Sequence, residues 1–380
     1  MSKQDKRTLR SWLLEHVGEL IFSILGAVII AFIVQEGGRF GPAEQSVVAV
    51  PPENIEASPS PTESSTPAPT MGREVSDSTV PPATNTANQP LATASRETSW
   101  TRLVDDMPMV FVPDGTFQMG SGPGDIDAVL ATCPGESGEC QREAFLDETP
   151  QHRVELDSFW IDQTEVTNRQ YSVFLNEQEE VNLPEDTVAW LDINSEHSGI
   201  EWRDGAFQPI PGFDDRPIVE VSWHGANAYC RWAGGMLPTE AQWEYAARGP
   251  NGSIFPWGDA FDVQLANFCD VRCSFSWNAS EFDDGFSETA VVGSYSDGSS
   301  LFGVLDMAGN VYEWVADWYQ PDYYAESPTV NPQGPMTGNT RVARGGAWHS
   351  SLQFLRNAFR NNKNPGFYDE FTGFRCAVAD

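Results

Sequence analysis

Residues 36–100 set the limits on what this chain can fold into. They are rich in Pro, Ser and Thr, as in Ser58-Pro-Ser-Pro-Thr62 and Pro81-Pro82, and few large apolar side chains interrupt them. Such a segment cannot bury enough surface to offset its ordering entropy. It reads as a disordered stalk, partly extended as polyproline II, that places its load a few tens of ångströms away, from about 5–6 Å × √n. Folding is thereby confined to residues 101–380, whose composition is globular and rich in Trp and Phe.

What precedes the stalk is apolar. Lys3, Lys6, Arg7 and Arg10 lead into a run from Leu20 to Val34. Counted back to Val17, residues 17–35 are long enough for a transmembrane helix at a rise of about 1.5 Å per residue. Residues 1–16 are then a cytoplasmic tail, and the positive flank sends the C-terminus outside. A cleaved signal peptide is the alternative; no small-x-small motif directly follows Val34, which favours a retained anchor. The expected location is the cell membrane, single-pass, with the C-terminal domain extracytoplasmic.

Charge and cysteines fit that location. Fifty-five acidic residues stand against 22 basic ones, a formal charge of -33, which argues against a nucleic-acid partner. The six cysteines are Cys133, Cys140, Cys230, Cys269, Cys273 and Cys376. An even count in an exported segment reads as disulfides, with 15 possible pairings. Cys133 lies close to Cys140, and Cys269 to Cys273, so each pair can staple a loop. Zinc on thiolates is the alternative, without histidines at finger-like spacing.

Local signals place several elements. Met109–Pro113 and Phe117–Gly120 read as strands around a turn at Asp114-Gly115, and His152–Ile161 as one strand. Thr167-Asn-Arg-Gln170 and Thr239-Glu-Ala-Gln242 are capping boxes that start helices. The second helix is expected to stop at a left-handed Gly249. A third runs from Ser222 to Trp232, ended by Gly234-Gly235. Beyond Gly249 the periodicity fades, and long irregular loops need clamps.

The ordered set Phe111-Val-Pro-Asp-Gly-Thr-Phe-Gln-Met-Gly120, Thr164-Glu-Val-Thr-Asn168, Pro217-Ile-Val-Glu-Val-Ser-Trp223, Leu237-Pro-Thr-Glu-Ala-Gln-Trp-Glu-Tyr245, Phe255-Pro-Trp-Gly258, Asp306-Met-Ala-Gly-Asn-Val-Tyr-Glu313, Arg344-Gly-Gly346 and Gly373-Phe-Arg-Cys376 resembles the sulfatase-modifying factor family, the formylglycine-generating enzymes and their relatives. The resemblance implies an α+β, irregular domain related to C-type lectins, low in regular secondary structure. It also implies a disulfide between Cys230 and Cys376.

Three implications concern chemistry. In the family's oxidases two cysteines bind copper and carry the reaction; aligned on Gly345-Gly346, those positions hold Ser350 and Leu355, and no cysteine lies between Cys273 and Cys376. Cu(I) prefers thiolates, so no copper is expected. Residues matching Asp306, Gly309, Val311 and Glu313 hold one structural calcium in the family, and those matching Asn267, Phe268, Asp284 and Phe286 a second. Oxygen-rich segments of this kind suit a hard cation; ordinary Asx turns are the alternative. Some relatives hold iron, but the histidines His152, His197, His224 and His349 are scattered in sequence, and no base marks Ser350 as a nucleophile.

A binding surface is then expected from Trp348, His349, Ser350, Asn357, Arg360, Tyr368 and Asp369, which mix aromatic anchors with adaptable polar groups. The functional expectation is a non-catalytic module for an extracytoplasmic peptide, protein or glycan. The alternative is a divergent metal-dependent oxidoreductase acting on protein or small-molecule thiols.

Overall fold

A computed structural model describes residues 99–132, 141–178 and 190–380. The expected tail, membrane span and nearly all of the stalk lie outside these residues, as do Cys133 and Cys140. Among the described residues no helix is long and apolar enough to cross a membrane. The stalk boundary shifts slightly: Ser99 and Trp100 form the first half of strand β1, Ser99–Arg102.

Two four-stranded sheets organise the domain. The first has the order β1, β2 (Met107–Val112), β5 (Phe159–Asp162), β12 (Ala377–Ala379), all antiparallel. The second has the order β10 (Asn361–Lys363), β9 (Arg341–Arg344), β8 (Tyr312–Trp318), β11 (Thr372–Phe374), with β11 parallel to β8. Two hairpins complete the strands: β3 (Gly115–Met119) with β4 (His152–Leu156), and β6 (Ile200–Arg203) with β7 (Ala206–Pro209). The helices are α1 (Pro123–Thr132), α2 (Asn168–Glu177), α3 (Trp223–Trp232) and α4 (Glu240–Arg248).

Helix starts follow local chemistry. Both capping boxes form: Thr167 and Thr239 accept from the backbone of Gln170 and Gln242, whose side chains return to the caps. Ser222 caps α3 by accepting from Gly225 N. Such caps satisfy donors that the helix itself cannot. Gly249 has a positive φ of 64° but ψ of -174°, so the turn leaves α4 extended instead of through the left-handed helical well. The strand expected over His152–Ile161 is two strands in different sheets. The break falls where Asp157 N donates to Asn331 Oδ1 at 3.0 Å.

The core packs the helices against both sheets. Trp243 and Trp314 are fully buried, and each indole N–H has an acceptor: Glu313 Oε2 at 2.8 Å and Val221 O at 3.0 Å. Tyr171, Phe174, Tyr229 and Phe374 form an aromatic cluster with ring centroids 5.2–6.1 Å apart, the range in which such pairs attract. Two disulfides act as the expected clamps, and buried arginines add clamps that were not expected. Cys230 joins Cys376, tying α3 to the segment before β12, and Cys269 joins Cys273. Buried arginines do the rest. Arg375 grips both oxygens of Glu313, at 2.6 and 2.7 Å, and the carbonyls of Asp162, Gln163 and Leu305. Arg344 donates to Glu244 and to the carbonyls of Asn357, Ala358 and Phe359.

Candidate functional site

The tight turn after β9 shapes the site. Gly345 and Gly346 have φ of 93° and 76°. A Cβ at Gly346 would lie 2.7 Å from Leu355 Cδ2 and 2.8 Å from the Phe354 carbonyl. Only glycine allows this backbone to approach so closely in that conformation. The following residues fold into a short turn in which Ala347 N donates to Ser350 Oγ at 2.9 Å. The Ser350 hydroxyl also contacts the Tyr312 hydroxyl at 3.3 Å. Neither partner is a base, so nothing activates Ser350 as a nucleophile.

Ser350 and Leu355, the positions at which the resemblance implies copper-binding cysteines, differ in environment. Ser350 lines a cavity of about 430 Å³. Leu355 is fully buried in an apolar cluster with Phe255 and Phe268, and so fills the core.

The cavity is aromatic on three sides. Phe275 and Trp277, stacked at 4.7 Å, form one wall. Trp277 Nε1 donates to the His349 carbonyl at 2.9 Å, which fastens that wall to the Gly-Gly turn. Tyr312, His349 and Phe371 face it, with the His349 and Phe371 rings 3.7 Å apart. Phe354 and Phe359 close the third side, and Ser350, Ser351 and Asn361 supply polar atoms. Burial, reinforced by the nearby Lys363 ammonium, pushes the His349 imidazole down to about 4. It is therefore neutral at pH 7, and its Nδ1 has no hydrogen-bond partner among the described residues. Lys363 sits 5.0 Å from the centre of the Tyr312 ring and is paired with Asp369 and Thr372. No ionised side chain lines the cavity, so it suits an uncharged group with flat or apolar faces and a few hydrogen-bonding positions.

The expected binding residues separate accordingly. His349 and Ser350 line the cavity. Trp348 backs it, its ring 5.2 Å from Phe371 and its indole donating to Glu370 O. Asp369 holds Lys363, and its backbone carbonyl accepts from Glu220 N. Tyr368 is half-buried and is not among the residues that line this cavity. Asn357 and Arg360 are corrected: both are buried and committed to the fold. Asn357 Nδ2 donates to Ser253 O, and Arg360 grips Glu240 at 2.7 and 3.0 Å. Sequence reasoning missed Phe275, Trp277, Tyr312 and Phe371. A Phe-x-Trp two residues after Cys273 was the available signal, but its position opposite His349 arises from the Cys269–Ser350 backbone contact, 3.1 Å across the fold.

The two segments expected to hold cations bring carboxyl groups together in the interior. Glu313 is spent on Arg375 and Trp243. The carboxyl that meets Asp306 is that of Glu165, within hydrogen-bonding reach. Burial and this like charge hold Glu165 well above the usual carboxylate range, and burial also raises Asp306. Glu165 Oε2 and Asn267 Oδ1 have no donor among the described residues. At the second position Asp284 accepts from Phe268 N and Phe286 N at 2.8 and 2.9 Å. Burial, with Asp270 alongside, pushes it up to about 6. Two touching carboxyls require a shared proton or a cation between them. Gly309 closes the first position with φ of 79°, where a Cβ would collide with the Asn267 carbonyl. Asp306 thus faces Glu165 and Asp284 faces Asp270, while Glu313 is engaged by Arg375 and Trp243. His152, His197, His224 and His349 sit on separate elements, and among the described residues no group of three or more His, Cys, Asp or Glu side chains is arranged to hold a metal.

Comparison with known proteins accounts for this arrangement. The chain is 38% identical over 260 residues to a formylglycine-generating enzyme of Streptomyces coelicolor, covering 60% of this chain and 81% of that one. It is 39% identical over 273 residues to the serine/threonine-protein kinase Pkn1 of Chlamydia trachomatis, covering 71% of this chain but 38% of the kinase. The structure of PvdO from Pseudomonas aeruginosa superposes with a TM-score of 0.54 at 27% identity, covering 74% of this chain and 98% of PvdO. The sulfatase-modifying factor enzyme 1-like domain matches residues 97–380, and the chain therefore belongs to the sulfatase-modifying factor family.

Proposed function

We propose that this chain is a membrane-anchored, extracytoplasmic binding module that keeps the family's scaffold and pocket without its oxidase chemistry. The observation that carries the reading is the fate of the two thiol positions. Ser350 is tied into a turn and Leu355 is sealed in the core, while an aromatic cavity remains beside them. The ligand is an uncharged group of a peptide, protein or glycan, held by stacking on Trp277, Phe275 and Phe371 and by hydrogen bonds from Ser351 and Asn361. The test is a screen of the ectodomain on glycan and peptide arrays. Trp277→Ala should weaken any pocket ligand roughly tenfold or more, as loss of an aromatic anchor does. Retained affinity in Trp277→Ala would remove the pocket from the account.

The similarity to formylglycine-generating enzymes favours a second reading, a divergent metal-dependent oxidoreductase. Its chemistry would need a donor set other than paired thiolates.

Calcium is the cofactor we propose. When bound it would neutralise the facing carboxyls; Asp284, Asp270, Asp306 and Glu165 supply hard oxygens and Asn267 an amide oxygen. Removal of divalent cations with EDTA should lower the melting temperature by several degrees at pH 7.5, and calcium should restore it. Asp284→Asn should shrink that difference. Equal melting curves with EDTA and with calcium would remove the ion.

A further inference from the structure

A separate cavity of about 330 Å³ lies between α1 and the irregular segment after α4. Its body is apolar, formed by Ile254, Phe255, Phe261 and Leu352. It belongs neither to the aromatic pocket nor to the cation positions. Two buried polar side chains line it. Gln353 is 6% exposed; its backbone carbonyl accepts from Arg356 Nε at 2.9 Å, and its side chain borders the cavity. Arg248 is 5% exposed. Its terminal nitrogens donate to Glu244 and to the carbonyls of Gln118, Gly120 and Gly252, but its Nε–H has no acceptor among the described residues. The Gln353 amide is the group on the cavity wall that a guest's hydroxyl or carbonyl would meet, since Arg248 Nε is closed to solvent.

Charge selects the guest's head. Arg248 is matched by Glu244 and Arg356 by both oxygens of Glu148. Asp125 and Asp259 also line the cavity, leaving a net negative balance. A carboxylate would be repelled, and an ammonium would have to leave water for an apolar chamber beside two guanidiniums. A hydroxyl or carbonyl meets neither penalty. Size follows from volume: a dry apolar cavity of ~150 Å³ accepts benzene, so about twice that space suits a fused bicyclic body.

We propose that this cavity is a binding site for a small uncharged molecule with an apolar body and one hydroxyl or carbonyl head. The test titrates 2-naphthol, naphthalene and 2-naphthoate into the full-length protein, by calorimetry with saturation-transfer NMR. Saturable binding of 2-naphthol at one site is expected, at least tenfold tighter than 2-naphthoate. Gln353→Leu should weaken 2-naphthol about fivefold and leave naphthalene unchanged. Ala128→Trp, on the exposed face of α1 at the rim, should weaken both at least tenfold without altering the melting temperature. No saturable 2-naphthol binding, equal affinity for 2-naphthoate, or full binding in Ala128→Trp would each overturn the proposal.

Discussion

Glu313→Ala is expected to cost about 3–5 kcal/mol of unfolding free energy, the range for removing one partner of a buried ion pair. A domain of this kind has only ~5–15 kcal/mol in total, so the variant should sit near the edge of folding at 37 °C. The reason lies in Arg375. It is fully buried, and its charge is balanced at contact distance by Glu313 alone. The same carboxylate accepts the Trp243 indole N–H, so alanine orphans a second donor. Substituting both partners with apolar residues should not rescue the fold. Arg375 also satisfies the carbonyls of Asp162, Gln163 and Leu305, which would lose their donors. Urea denaturation measures the effect; a loss below about 1 kcal/mol would show that the pair is dispensable.

Replacing Cys230 and Cys376 together with alanine should lower stability by about 4–5 kcal/mol. Their bond closes a loop with a sequence separation of 146, and loop-closure entropy grows with the logarithm of that length. The Cys269–Cys273 bond has a separation of 4, and the same relation gives about 2 kcal/mol for its loss. The comparison of the two double variants by the shift in denaturation midpoint distinguishes entropic clamping from local packing. A larger loss for the short loop would contradict the entropic account.

How much could be read in advance depended on distance along the chain. The capping boxes at Thr167 and Thr239 are complete within four residues, and both formed. The break between β4 and β5 was hidden, because Asp157 turns toward Asn331, far along the chain. The family motifs pointed to the segment that lines the aromatic cavity, but the contacts of its residues are decided from outside it. Asn357 and Arg360 look like surface binding groups until Arg344 and Glu240 are brought against them. The motif around Glu313 does not show that Arg375, just after β11, grips it, or that Glu165 meets Asp306. The wall of Phe275 and Trp277 lies in a segment with no periodicity at all; the Cys269–Cys273 loop and one indole hydrogen bond place it. Periodicity and caps report local choices, whereas buried charge pairs and aromatic walls are set by contacts that no window of sequence contains.

One measurement bears most directly on the claim that the scaffold has outlived its oxidase chemistry. The purified domain, residues 97–380, would be incubated with copper, oxygen and a cysteine-bearing sulfatase-motif peptide, and the peptide followed by mass spectrometry. With Ser350 and Leu355 where the family resemblance implies thiols, the cysteine should emerge unconverted and copper should not bind stoichiometrically. Catalytic formation of formylglycine would contradict the account.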